Sequence, residues 1–349
     1  MTDNEPIPGL LALRVLRANA IGNGDRVQTI AFAEEKRFWP NHAKVMAHVT
    51  KAAVPTITSM NAPLFSEVGA DLMNAIRPLT VIGRLGVRRL PLRTRMLTSN
   101  VGAVAGWLGE GHSAPLRLGA FTAQSLDERK IVVLMVASDE LLRSDLVDVE
   151  RGLLDDMLSA CRQVLDMTFL DPTNAGVAGE RPASIAHPSQ GGILIPSTGN
   201  TVAAIDTDMK AAVAALLTAG SNLERAKWVF SQGLATKLSM LRGTGGALSH
   251  PGLSTVGGLV ANLPWIASQS APANTIQLID AAHVGVAEQE PELGVSKQGA
   301  IDMNGSPGED RMVTPMSMFQ TESSALRAML RVNFLARKPA AATVTGVTL

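Results

Sequence analysis

The sequence predicts an α+β fold, and three observations carry that expectation. Residues 148–170 place apolar side chains at three-and-four spacing, the pattern of a long helix with one buried stripe. Residues 131–136 are a β-branched apolar run, and residues 325–335 partly alternate, as strands do. No strand-helix-strand periodicity runs through the chain, so the parallel doubly wound classes are set aside.

The 349 residues suffice for one elaborate domain or two to three ordinary ones. Hydrophobic residues make up 46% and charged residues only 18%, with mean hydropathy +0.16, so the chain is no disordered polyelectrolyte and carries more apolar surface than a typical monomer buries. Lys+Arg and Asp+Glu are both 31, a balance that supplies no field for steering onto nucleic acid. Six scattered His, one Cys and no Tyr make a poor stock for a catalytic pocket. Cys161 has no disulfide partner, which fits synthesis in a reducing cytoplasm. Residues 1–9 show no secretory signal. The uncharged stretch 243–279 is long enough to span a bilayer, but Pro251, Pro264 and Pro272 break it, so buried irregular backbone is expected there.

Along the chain, residues 10–20, 26–38 and 42–53 read as short helices parted by Gly22-Asn23-Gly24 and Pro40, a helical leader. Between residues 72 and 109 lie Arg77, Arg84, Arg88, Arg89, Arg93 and Arg95 with no Lys and no acidic residue, and Pro78 and Pro91 favour extended chain. Guanidinium groups without interleaved aromatics suit carboxylates on a neighbouring chain better than bases. Residues 101–136 read as a long hairpin with a polar tip, too thin to bury its own faces. Ser138-Asp139-Glu140 caps a helical turn through Arg143, and the helix of 148–170 follows, with Asp148, Glu150, Asp155, Asp156 and Asp166 off its apolar stripe as an acidic face. Residues 173–202 read as loop with a strand at 193–195. A helix over 207–217 ends at Gly220, and strands are expected at 227–230, 276–279 and 283–287. The stretch 312–336 is strand-rich.

The glycines of Gly243-Thr244-Gly245-Gly246 and Gly22-Asn23-Gly24 lack the spacing of a phosphate loop and read as turns. His42 and His48 are six apart and do not share a helix face as metal ligands. Adjacent Asp155 and Asp156 diverge by about 100° on a helix and do not converge on one substrate atom. Cys161 on the apolar stripe reads as a small hydrophobe, and no Gly-x-Ser-x-Gly elbow occurs. No catalytic residue, cofactor or metal site is therefore expected.

The order of the parts is more specific than any one of them. An Arg-rich stretch leads into Ala105-Gly106-Trp107-Leu108-Gly109-Glu110-Gly111. Phe121 and Lys130-Ile131-Val132-Val133 follow, then Ser138-Asp139-Glu140-Leu141-Leu142-Arg143-Ser144, and the long helix ends in Leu165-Asp166-Met167-Thr168-Phe169-Leu170-Asp171-Pro172. Together with Lys51-Ala52-Ala53-Val54 and Leu79-Thr80-Val81-Ile82-Gly83-Arg84-Leu85, this resembles the major capsid proteins of tailed bacteriophages of the Hong Kong 97 type. The likeness is close over residues 50–172 and looser to the C-terminus.

That resemblance implies a helical leader (1–57), an extended N-terminal arm (58–100), an extended loop (101–136), a peripheral domain (137–202) with spine helix 148–170, an axial domain (203–312) and C-terminal strands (313–349) returning to the peripheral domain. It implies inter-subunit contacts at Arg84, Arg88, Arg89, Arg93, Trp107, Glu110, Arg117, Asp155 and Asp156, and burial of 243–279 by partner chains. The implied function is self-assembly through hexamers and pentamers into an icosahedral head around double-stranded DNA. The implied partners are further copies, scaffold and portal proteins, a decoration protein and DNA held non-specifically, with no membrane. Only residues 1–57 precede the arm, which points to a separate scaffold, and Lys130 lies off the loop tip, so covalent cross-linking is not carried over. An encapsulin-like compartment shell and, more remotely, a soluble hydrolase or ligand-binding protein remain as alternatives.

Overall fold

The computed structural model describes residues 7–348 apart from 24, 52–61, 100–106, 108–120, 145, 244–245, 251, 254–257, 298–299 and 302–315. The chain divides into two compact units, one of Met1–Leu79, Ile131–Arg162 and Glu290–Arg331, the other of Thr80–Lys130, Gln163–Gln289 and Val332–Leu349.

The three short helices of the leader are present as α1 (Leu10–Gly22), α2 (Arg26–Glu35) and α3 (His42–Lys51). Asp25 caps α2 by accepting from Val27 N, and Asn23 ends α1 in the left-handed region at φ 46°. Within this helical leader α1 is buried almost all round, Arg14 and Arg17 included. Its first turn is capped from a distance: Asp71 Oδ2 accepts from Gly9 N at 2.9 Å and Leu11 N at 3.1 Å.

Where the Arg block suggested an extended arm, two helices stand instead, α4 (Ala62–Ile76) and α5 (Val81–Leu85). Val68, Leu72, Ala75 and Ile76 recur at three-and-four spacing and are buried, a periodicity that outweighs the flanking charge. Thr80 caps α5 by accepting from Gly83 N, and Gly86 ends it at φ 72°. Pro78 thus marks a break between helices. Extended chain appears only at β1 (Arg88–Leu90) and β2 (Arg95–Ser99).

The hairpin also differs from expectation. β2 pairs antiparallel with β3 (Phe121–Ser125), from Arg95↔Ser125 to Ser99↔Phe121, so one strand of the ladder precedes the expected 101–136 span and the other lies within it. Of the residues between these strands, Trp107 alone is described. The β-branched run 131–136, expected to continue the same limb as 121–125, lies in β4 (Lys130–Ser138), which belongs to another sheet.

α6 (Asp139–Arg143) is capped by Ser138 Oγ, as read, and α7 (Val147–Leu170) is the long helix. Leu153, Leu154, Met157, Leu158, Cys161, Leu165 and Phe169 are buried on the expected stripe, whereas Val164 is exposed. The acidic face divides: Asp155 and Asp156 are exposed, but Glu150 and Asp166 are buried.

The remaining elements are β5 (Ile193–Pro196), α8 (Val202–Thr218), β6 (Ala226–Ser231), α9 (Gln232–Met240), β7 (Leu259–Val260), β8 (Leu263–Ser268), β9 (Thr275–Asp280), β10 (Val284–Ser296), β11 (Ala300–Ile301), β12 (Met316–Ser317), β13 (Ser323–Ala336) and β14 (Ala341–Thr345). α8 begins five residues before the expected helix because Thr201 caps it, accepting from Ala204 N. α9, capped by Ser231, was not foreseen.

A six-stranded sheet runs β5-β14-β9-β6-β8-β7, and a four-stranded one runs β1-β10-β13-β4. The larger sheet takes β5 and β14 from outside the 203–312 span read as an axial domain. On one of its faces, alternate residues Trp228, Phe230, Ile276, Leu278, Ala342 and Val344 form a core with Ile205, Met209 and Leu216 of α8 and Leu234 and Leu238 of α9. The rings of Trp228 and Phe230 stack at 6.1 Å, and Trp228 Nε1 donates to Val260 O at 3.0 Å. Stretch 243–279 is therefore not irregular throughout. It supplies β7, β8 and most of β9, and Trp265 and Ile266 are buried by the chain's own sheet. No helix among the described residues is long and apolar enough to cross a membrane.

Candidate functional site

Arg84, Arg88, Arg89 and Arg93 follow one another through α5, β1 and the turn into β2, but the local backbone sends them to different partners. Arg84 Nη1 donates to Ala267 O at 2.8 Å, and Lys227 Nζ donates to Arg84 O at 2.7 Å. Burial, helped by the charges of Arg84 and Arg225, pulls the Lys227 ammonium below its ordinary range. Arg225 donates to Gly86 O, so the turn after α5 is tied to β6 and β8.

β1 lies parallel to β10 with Arg88↔Gly285 and Arg89↔Val286 in register. Strand alternation turns Arg88 and Arg89 to opposite faces. Arg89 Nε meets Glu288 Oε1 at 2.9 Å. Arg93, in the left-handed region at φ 64°, meets Glu128 Oε1 at 3.0 Å. Two of the four arginines expected to seek carboxylates on a neighbour therefore hold carboxylates of their own chain. Both side chains remain at least half exposed, so each pair contributes no more than about 1 kcal/mol.

Trp107 is fully exposed at 104% of its reference area. On β4, an outer strand of its sheet, Val132 and Leu134 are exposed at 52% and 50%. Among the described residues β4 ends the strand order of its sheet, so these apolar side chains stand in water on an edge strand. Asp155 and Asp156 stand in water on α7. Glu110 and Arg117 lie outside the described residues.

The strongest electrostatic arrangement was missed in the sequence. Glu150 of α7 accepts from Arg14 Nη2 at 2.9 Å and from Arg17 Nη1, with all three side chains at most 4% exposed. Arg17 Nη2 also donates to Leu142 O and Ser144 O, each at 2.7 Å, and both guanidinium groups lie over the Trp39 ring. Arg14 and Arg17, two charges three residues apart in a run 10–21 whose other members are apolar except Asn19, were the available signal. Asp166 forms a second hub, accepting from Val81 N at 2.8 Å and Ser268 Oγ at 2.9 Å. Both hubs join elements; neither opens on a reaction site. Burial pushes the Cys161 thiol up to about 12, leaving it unreactive. Among the described residues no three His, Cys, Asp or Glu gather as metal ligands.

The model of the phage capsid family matches residues 72–346. The chain belongs to the phage capsid family. The capsid polyprotein of Pseudomonas phage PAJU2 is 29% identical to this capsid-family chain over 365 aligned residues, covering 97% of the chain and 54% of the polyprotein. The major capsid protein of Klebsiella oxytoca phage phiKO2 is 23% identical over 230, covering 64% and 53%. The chain thus spans about half the length of the curated relatives it matches. A solved chain from Mycobacterium phage Ogopogo overlays with TM-score 0.58 at 18% identity, covering 76% of this chain and 91% of its own. One from Mycobacterium phage Adephagia gives 0.56 at 15%, covering 77% and 91%. A chain from the capsid of a native GTA particle gives 0.52 at 14%, covering 76% and 89%. These likenesses place the mixed helix and sheet fold among phage capsid folds.

Proposed function

We propose that this chain is a structural major capsid protein of the Hong Kong 97 type. On this reading it assembles through hexameric and pentameric capsomers into an icosahedral head around double-stranded DNA, and it carries no catalytic site. Family membership over residues 72–346 supports it. The observation that carries it is the apolar surface one chain leaves open: Trp107 in water, and Val132 and Leu134 on an outer strand. Trp107, Glu110 and Arg117 would reach a neighbouring subunit, with Arg84, Arg88, Arg89, Arg93, Asp155 and Asp156 at further contacts. The partners are copies of itself, scaffold and portal proteins, a decoration protein and DNA, and the location is the virion capsid, assembled in the bacterial cytoplasm.

Electron microscopy and light scattering of the purified full chain test this. Closed particles are expected, and deleting residues 109–119 or making Trp107→Ala should reduce them sharply while far-ultraviolet circular dichroism stays unchanged. A chain that stays monomeric over a range of salt and concentration, with and without a candidate scaffold, overturns the reading.

A further inference from the structure

Arg88, released from the Glu288 side of β1 by strand alternation, lines a pocket of about 260 Å³ together with Arg95 and Arg337. Thr94, His283 and the edge of Gly285 complete its polar wall, and Leu90 and Met96 form an apolar floor continuous with the small core of Leu126, Ala287 and Leu335. Gly285 lets the Met96 side chain lie close against β10, since a Cβ there would sit 2.8 Å from Met96 Sδ and push that side chain aside. None of the Arg88, Arg95 and Arg337 side chains has an ion pair or hydrogen bond with another described residue. Asp280 Oδ2 faces His283 Nε2 at 3.7 Å, and Asp127 and Glu128 line a second hollow that Arg95 also borders, where Glu128 holds Arg93.

We propose that this pocket binds a phosphoryl group. Three guanidinium groups that pair with no other described residue border one concave site over Leu90 and Met96, while Asp280 answers the imidazole. A carboxylate offers one negative charge and two oxygens, enough for one guanidinium fork. A phosphoryl group offers close to two charges and three acceptor oxygens, which several guanidinium groups share. The volume corresponds to about nine water molecules at about 30 Å³ each, room for a tetrahedral oxyanion and part of its hydration. Free phosphate and pyrophosphate carry this group as such, whereas a nucleic-acid backbone offers one charge and two free oxygens per phosphate and would engage the site through neighbouring phosphates together.

Isothermal titration of the full chain with inorganic phosphate and with pyrophosphate tests the inference, repeated with Arg88→Gln, Arg337→Gln and Arg337→Lys. Binding by the parent chain is expected, weakened about tenfold or more in the Gln variants and less in the Lys variant. Arg88 is exposed, so its variant keeps the test open if the Arg337 variants fold poorly. A short DNA duplex that displaces pyrophosphate assigns the source to nucleic acid, and one that does not assigns it to the free ion; both support the site. No phosphate binding, equal binding by the Gln variants, or preference for a glutamate-rich peptide overturns it. The pocket lies within one chain, so this failure would leave the capsid reading untouched.

Discussion

Arg14 and Glu150, 136 residues apart, meet at 2.9 Å with side chains that are each 4% exposed. Arg17 joins them on the other carboxylate oxygen. A buried pair of this kind contributes little beyond what an apolar replacement would, but losing one partner strands the rest.

Glu150→Ala therefore leaves two guanidinium groups uncompensated. The expected loss is about 3–5 kcal/mol in urea unfolding. A loss below about 1 kcal/mol would show that the triad does not hold α1 to α7.

Asp166→Ala removes the acceptor of the Val81 amide and the Ser268 hydroxyl, both buried, and should cost about 2 kcal/mol or more. Asp155→Asn and Asp156→Asn, on the same helix but in water, should stay within about 0.5 kcal/mol of the parent. Equal effects at all three positions would contradict the division of the acidic face.

Much of the architecture was legible because one residue pattern meets one environment. The stripe of α7, the cap at Ser138 and the run in β13 are local facts, readable without partners. The hubs were not. Glu150 and Asp166 sit off the apolar stripe like ordinary solvated carboxylates, and only chain 136, 85 or 102 residues away makes them internal. The candidate surface divided in the same way. Arg88 and Arg89, adjacent in the basic block, part to opposite faces once β1 pairs with β10. In α4 the apolar spacing of Val68, Leu72, Ala75 and Ile76 decides for helix, a local signal that lies just ahead of the Arg block and its prolines.

The thiol of Cys161 should resist an aromatic disulfide reagent at pH 8 in the folded chain and react stoichiometrically in denaturant. Burial raises its folded value to about 12 from an ordinary 9.0. Its contribution to stability is complete below pH 9 and is lost as pH rises towards 12, because the unfolded thiol ionises first. Rapid labelling without unfolding would refute its burial.

His48 titrates in the opposite sense. Burial pulls its value below 6.5, with Glu67, the facing carboxylate that also holds Lys44, partly offsetting the shift. Its contribution is complete above pH 6.5 and is lost as pH falls through the lowered value, since the unfolded chain takes the proton first. Urea midpoints should fall on mild acidification, and the slope should flatten in His48→Gln. An unchanged slope would assign the acid sensitivity to other groups.

β14 lies between β5 and β9, and it is the last of the six strands in its sheet to be synthesised. Until residues 341–345 have left the ribosome, β5 has no neighbour to pair with and the tract containing Ala342 and Val344 is missing from the core. Translation therefore delays completion of this sheet, and premature termination before residue 341 would leave two seams of backbone amides and carbonyls open at once.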